Sequence, residues 1–310
     1  MGKKPFRFGL MVEGAESRAE WVARARKAED LGYATFLAAD HVFPFQLAPV
    51  PALATVAEAT TRLRISSFLF ANDFRNPALL AREAATLDLL CDGRFELGIG
   101  AGWRLEDFTQ LGIPFDRPGV RIRRLEEALQ VIKPLLAGET VTHCGTYYTV
   151  TGLQGHPLPV QKPRPPIHIG GGARRILSLA AREADIVGIM PKTRTDGRGA
   201  DVFDAQVPAA EKIGWIREAA GERFDELELS VMVLTAAVTD DRADTLAKIS
   251  ARSYIPEAKL LDMPYMLVGN VDQIVEDLQR RREQHGISYI TVPEGHMEVL
   301  APVVARLAGT

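Results

Sequence analysis

The strongest constraint on this chain is a unit that repeats through its first hundred residues. Phe6, Phe8, Leu10 and Val12 alternate with Arg7, Gly9 and Met11, which reads as a strand. Ser17 and Glu20 then form the S-x-x-E pattern of a capping box. Trp21, Ala25, Ala28 and Leu31 keep one face of the helix that follows, and Gly32 is placed to end it. Further strands are expected over 35–39, 63–70 and 94–99, with helices over 51–60 and from Asn76-Pro77 to Gly93 between them. Strand starts at 6, 35, 63 and 94 lie about 28 to 31 residues apart, the length of one βα unit. Right-handed crossovers between such strands build a parallel sheet.

The pattern loosens after residue 103. A helix carries Leu125, Leu129, Ile132 and Leu136 on one face, followed by an expected hairpin over 139–150 and a proline-rich connection over 156–166. Strands are expected over 167–170 and 185–190, a mobile loop over 193–204, a helix over 208–220 and a long β run over 227–238. An Asp272-capped helix, a strand over 288–292 and a helix over 298–307 close the chain. About eight strands and no inter-domain linker favour one domain spanning 1–310. The expected fold is a closed (β/α)8 TIM barrel with insertions after strands 4, 6 and 7, preferred to an open doubly wound sheet. Segments 104–120, 139–166 and 191–206 are expected to cap its mouth and select the substrate.

Of the 310 residues 46% are hydrophobic, enough to bury such a core. With 37 basic and 40 acidic residues the net charge is −3, which lacks the footprint of a protein that coats nucleic acid or an anionic membrane. Cys91 and Cys144 form neither a disulfide framework nor a CxxC motif. No apolar run reaches the roughly 18 residues of a spanning helix, the N-terminus lacks a signal-peptide core, and Phe6 breaks the myristoylation pattern. A soluble cytoplasmic protein with a small-molecule partner is expected. HExxH, Walker A and G-x-S-x-G patterns and metal-spaced clusters are absent, so no metal is expected.

In such a barrel chemistry gathers where strands end. After the second strand stands Asp40-His41, either a carboxylate tuning an imidazole for proton transfer or a turn cap beside a structural histidine. After the third, Asn72 and Asp73 are either turn formers or, for Asn72, an amide facing a heterocycle edge. After the fourth, Gly98, Gly100 and Gly102 bare one face of the strand end, for a flat ring or for tight packing. After the fifth, Gly170, Gly171 and Gly172 precede a helix, as a phosphate cradle helped by Arg174 and Arg175 or as an ordinary turn. The basic runs 121–124 and 280–282 read as solvated helix faces, while Arg117, Lys192, Arg194 and Arg198 are loop cations able to attract an anion.

Taken together these segments resemble a known family. The opening FRFGL, the AADH segment, LRISSFLFANDFRNPALLAREAATLDLLCDGRFELGIGAGW (63–103), RLEEALQVIKPLL (124–136), IHIGGG (167–172) and GISYITVPEG (286–295) resemble the luciferase-like flavin and deazaflavin oxidoreductases, most closely their coenzyme F420-dependent branch. The resemblance implies a TIM barrel, usually a homodimer, with a deazaflavin in its mouth. It implies that Asp40 and His41 face the cofactor ring, with His41 the proton donor or acceptor. Phe68-Leu69 match a bulged non-prolyl cis peptide behind the ring, and Ala71 and Asn72 match neighbouring cofactor contacts. Gly100, Ala101 and Gly102 match the loop along the ring, and Gly170, Gly171 and Gly172 the loop beside the phosphate-bearing tail. Members that oxidise a sugar phosphate carry a catalytic Glu just after the G-x-G loop. Trp103 stands there instead, and Glu106, three residues on, is not equivalent. That argues against a sugar phosphate and for Trp103 stacking on, or walling off, an apolar substrate.

The expected activity is hydride transfer between coenzyme F420 and an organic substrate. His41 would pass the proton, and Asp40 would orient that imidazole or bond the ring edge. The alternatives are an FMN-dependent luciferase-like monooxygenase and a barrel that binds a flavin or deazaflavin without turnover, since fold does not fix function.

Overall fold

A computed structural model describes residues 4–42, 47–199, 201, 204, 207–253 and 255–310. β1 (Arg7–Val12), β2 (Thr35–Ala38), β3 (Arg64–Ser67), β4 (Phe95–Gly100), β5 (Ile167–Gly171), β6 (Ile186–Ile189), β7 (Glu228–Met232) and β8 (Ile287–Pro293) pair in that order, all parallel. β8 returns to β1, with Phe8 opposite Ile290, and the sheet closes into the expected barrel. Every residue of β2, β4 and β6 is buried, because a parallel sheet wrapped by helices has no wet face.

The helices start largely where local chemistry directs. The Ser17 hydroxyl accepts the Glu20 N–H at 3.2 Å and opens α1 (Arg18–Asp30). α2 (Pro49–Ala59) follows β2, and the Asn76 side chain accepts the Ala78 N–H at 2.9 Å to open α3 (Pro77–Leu90). After β4 come the short α4 (Leu105–Leu111) and the long α5 (Pro118–Leu136), then an antiparallel hairpin of Thr140–Cys144 and Thr149–Gln154. α6 (Arg174–Glu183) and α7 (Ala209–Ala220) complete the units after β5 and β6.

Three expectations need correction. The run over 227–238 is two strands: β7 ends at Met232, and Thr235–Val238 leaves the barrel to pair with Met266–Gly269. That small sheet joins α8 (Arg242–Ser253) and α9 (Glu257–Asp262) around Leu246, Leu260, Tyr265 and Val268, so the insertion after β7 has a core of its own. α10 (Val271–His285) is capped by Asn270, not Asp272: Asn270 and Gln273 exchange side-chain and backbone hydrogen bonds of 3.0 Å each. The closing α11 (Ala301–Leu307) is shorter than expected, since residues 297–300 form a turn that leads into it.

The third strand is also interrupted. Ser66 lies opposite Glu96 and Phe70 opposite Ile99, so four residues of one strand span three of the other, a β-bulge. Its centre is the Phe68–Leu69 peptide, which is cis, as the resemblance implies. Below it, at the N-terminal ends of the strands, Arg7 bonds Glu228 at 2.6 and 2.8 Å and Glu96 at 2.5 Å, while Arg64 bonds Glu96 at 2.6 Å. Burial pushes the Glu96 carboxyl up, but the two guanidiniums prevail and hold it below the usual glutamate range. No helix among the described residues is long and apolar enough to cross a membrane.

Candidate active site

The strand ends enclose a cavity of about 400 Å3. Met11 enters it from the end of β1, Ala39, Asp40 and His41 follow β2, and Phe68, Leu69 and Ala71 come from the bulge. Gly100, Ala101, Gly102 and Trp103 line the next side, Gly170, Gly171, Gly172 and Ala173 the one after, and Met190, Lys192 and Met232 complete the ring. A second cleft, about 560 Å3, lies between the turn after β3 and the hairpin tip. It is larger, but its cations are already engaged: Arg124 pairs with Asp73 and Asp116, and Arg75 with Asp40. The mouth cavity, with its apolar walls and convergent polar groups, is the better candidate.

Asp40 and His41 both line it, each gripped by a different group. The Asp40 carboxylate takes the Arg75 guanidinium at 2.5 and 2.8 Å and the Ala71 N–H at 2.9 Å. Asp40, expected to orient the imidazole or bond the ring edge, is thus engaged by Arg75 and Ala71. His41 Nδ1 lies 2.5 Å from Asp107 Oδ2, and Asp107 Oδ1 accepts the Val42 N–H at 3.3 Å. Asp107 sits in α4 and is 2% exposed. Trp103 meets the imidazole edge to face, with centroids 5.6 Å apart. Asn72 is corrected. It is buried away from the cavity, its amide donating to the Tyr148 hydroxyl at 3.0 Å and to Asp73 at 3.2 Å. Tyr148 is brought there because Glu127 accepts the N–H groups of 146, 147 and 148 and pins the hairpin tip to α5.

The glycines divide between the two readings. A Cβ on Gly98 would sit 1.9 Å from the Ser67 carbonyl oxygen, and one on Gly102, where φ is +69°, would sit 2.8 Å from Phe108. Those two are demanded by packing and backbone conformation. Gly100 meets only ordinary contacts to Leu69 at 3.5 Å or more, so its missing side chain leaves space beside the bulge. Gly171 and Gly172 are required by Ile176 and by the Lys192 backbone, at 2.3 and 2.2 Å from a built Cβ. They turn the chain into α6, whose N-cap Ala173 brings no side-chain hydrogen bond.

The basic runs depart from solvated faces. Arg121 is 4% exposed, stacks 4.0 Å from the Phe115 ring centre and lines the cavity. It donates to the Asp116 carbonyl at 2.6 Å, and its Nε finds no acceptor among the described residues. Arg281 is buried and donates to the carbonyls of Leu261, Pro264 and Met266. Arg174 turns away to Glu218 and Arg194 to Asp196. Lys192 lines the cavity, and its backbone N–H is held by Asp204, which also takes the fully buried Lys212 at 2.5 Å. Gly197 crosses to the other insertion, where its carbonyl accepts the Leu105 N–H at 3.2 Å and a Cβ built on it would sit 2.8 Å from the Trp103 carbonyl oxygen. Residues 43–45 of the AADHVFPF stretch and 200, 202 and 203 of the expected mobile loop lie outside the described residues.

Sequence reasoning missed Asp107, Arg75 and Arg121. Nothing in a motif marks Asp107 or Arg75, which reach their partners 66 and 35 residues away only through the fold. Arg121 carried no signal either, since the Phe108 and Phe115 rings cover it only once the chain is folded.

Comparison with known proteins completes the description. Residues 4–286 match the family described as luciferase-like monooxygenase. The chain is 28% identical over 310 residues, covering 97% of itself and 88% of the relative, to the F420-dependent glucose-6-phosphate dehydrogenase of Microbacterium testaceum. Its fold matches the coenzyme F420-dependent tetrahydromethanopterin reductase of Methanopyrus kandleri with a TM-score of 0.75 at 18% identity, over 98% of this chain and 100% of that one. It also matches the monooxygenase RslO1 of Streptomyces bottropensis, with a TM-score of 0.72 at 21% identity over 97% of each. Likeness at such identities concerns the fold alone.

Proposed function

The chain belongs to the luciferase-like monooxygenase family, and from that premise we propose that it is an F420-dependent oxidoreductase acting on an organic substrate whose reacting end is uncharged. The F420-dependent relative aligned along nearly its whole length supports the cofactor. The observation that carries the reading is the His41 imidazole, held by a carboxylate in the wall of a cavity floored by the Phe68–Leu69 bulge.

The residues present fit a flat ring with an anionic tail. The bulge and the bare Gly100 offer a shelf for the ring. Arg121, whose Nε has no acceptor among the described residues, the α6 N-terminus without a side-chain cap, and Lys192 offer charge and N–H groups for the tail. A bound deazaflavin supplies a carbon that accepts or releases hydride, which no side chain does.

The protein's own part is positioning and proton handling. Holding the substrate carbon about 3–3.5 Å from its hydride partner is the main gain available. His41 takes a proton from a substrate hydroxyl as hydride departs, or returns one in the opposite direction. Asp40, neutralised by Arg75, fixes the end of β2 against the turn that carries Ala71. Met11, Phe74, Phe108 and Met232 keep water from the reacting atoms. The relative's sugar-phosphate substrate is not carried over, because Trp103 occupies the place of the acid that resemblance assigns to sugar-phosphate oxidisers.

Equilibrium binding of F420 against FMN, read by fluorescence, tests the proposal. Tight binding of F420 is expected; binding of FMN alone would overturn it.

A further inference from the structure

We propose that Asp107 is the positioning residue of this site: it locks the His41 imidazole in the tautomer protonated at Nδ1, so that a proton exchanged with substrate passes through Nε2. The inference deepens the function proposed above and rests on His41 being its proton carrier.

Two carboxylates grip the Asp40-His41-Val42 segment, and their partners differ. Asp40 spends both oxygens on Arg75 and the Ala71 N–H, so its charge is neutralised by a guanidinium. Asp107 spends one oxygen on His41 Nδ1 at 2.5 Å and the other on the Val42 N–H at 3.3 Å. An ionised carboxylate only accepts hydrogen bonds, so Nδ1 must carry a proton whether the ring is neutral or charged. The nitrogen whose protonation changes is then Nε2.

The arrangement also fixes the ring in space. Asp107 is 2% exposed on α4, the Val42 contact sets the chain beside the ring, and the Trp103 edge lies at 84° to the imidazole plane. Among the described residues, the charged groups lining the same cavity are Asp107 from α4, Asp40 with its Arg75 partner, Glu13, Arg121 and Lys192, and of these Asp107 contacts the ring at Nδ1. The Asp107 contact at Nδ1 is the one that sets which ring nitrogen holds the proton.

Nitrogen-15 spectra of the His41 ring in the cofactor-free protein test this directly, with the resonances assigned by their loss in H41Q. The neutral ring of the wild type is expected to carry its proton on Nδ1. D107N keeps an acceptor at the same place, so the tautomer should persist. D107A should populate the ring protonated at Nε2. A wild-type ring protonated at Nε2, or a D107A ring that keeps its proton on Nδ1 as the wild type does, would overturn the assignment. If D107N does not fold, the wild-type tautomer alone still decides. Failure of the wild type to bind F420 would overturn the function on which this inference rests, a result read separately from the tautomer.

Discussion

Arg75 clasps both carboxylate oxygens of Asp40, joining the end of β2 to the turn after β3 across 35 residues of chain. Removing the guanidinium leaves a nearly buried carboxylate facing apolar walls. R75M should lose about 3 kcal/mol of stability, the low end for a broken buried pair because Arg75 is a fifth exposed. Urea denaturation checks this, and an unchanged midpoint would show that Asp40 does not depend on Arg75.

His41 carries the proton in the proposed reaction but is not asked to hold the cofactor. H41A should therefore bind F420 like the wild type and lose about 10²- to 10⁴-fold in turnover. Stopped-flow measurement of F420 reduction, alongside a fluorescence titration, separates the two. Unimpaired turnover would remove His41 from the chemistry.

The two glycines of the fourth strand, Gly98 and Gly100, should respond in opposite ways. G98A drives a methyl group into the Ser67 carbonyl, 1.9 Å from its oxygen, and should cost stability at the upper end of the 1–3 kcal/mol typical of overpacking, about 3 kcal/mol. G100A meets nothing closer than 3.5 Å and should melt like the wild type while weakening F420 binding, because it narrows the shelf. Thermal melts and titrations of both variants make the comparison.

Arg121 is assigned to the anionic tail, so R121M should weaken F420 binding by about tenfold or more, the scale of a lost hydrogen bond to a charged group. The corresponding deazaflavin lacking the phosphate should bind both proteins equally. Equal losses for both ligands would place Arg121 in the ring site or in the fold instead.

His168 lies fully buried between Phe68 and Tyr289, and burial pulls its pKa from 6.5 down to about 4. The unfolded chain therefore binds a proton between those values that the folded chain refuses. Stability is present above pH 6.5 and is lost as the pH falls towards 4, by about 3 kcal/mol for this group. H168Q should flatten that part of the profile of unfolding free energy against pH. An unchanged slope would assign the acid sensitivity elsewhere.

The sequence was informative where local rules govern. Strand spacing led to the barrel, Ser17 and Asn76 marked their helix starts, and the residues at strand ends met in one cavity because a parallel barrel sends every strand the same way. It was silent where partners come from afar. Adjacency suggested Asp40 as the acid for His41, whereas β2's exit angle and the position of α4 bring in Asp107. Asn72 follows the same logic, since a hairpin tip pinned by Glu127 offers it a hydroxyl outside the cavity. Arg121 looked solvated because helical charge runs usually are, and only stacked phenylalanines make its burial tolerable. The break after Met232 escaped notice because Leu-Thr-Ala-Ala-Val continues the apolar pattern, while its pairing strand lies about thirty residues later.

The contact of Gly197 with Leu105 and Trp103 means that the two loops over the mouth are not independent parts. A graft that replaces the loop after β6 alone would meet a mismatched neighbour across the opening. Redesign of selectivity in this barrel must therefore exchange both loops as a single cassette.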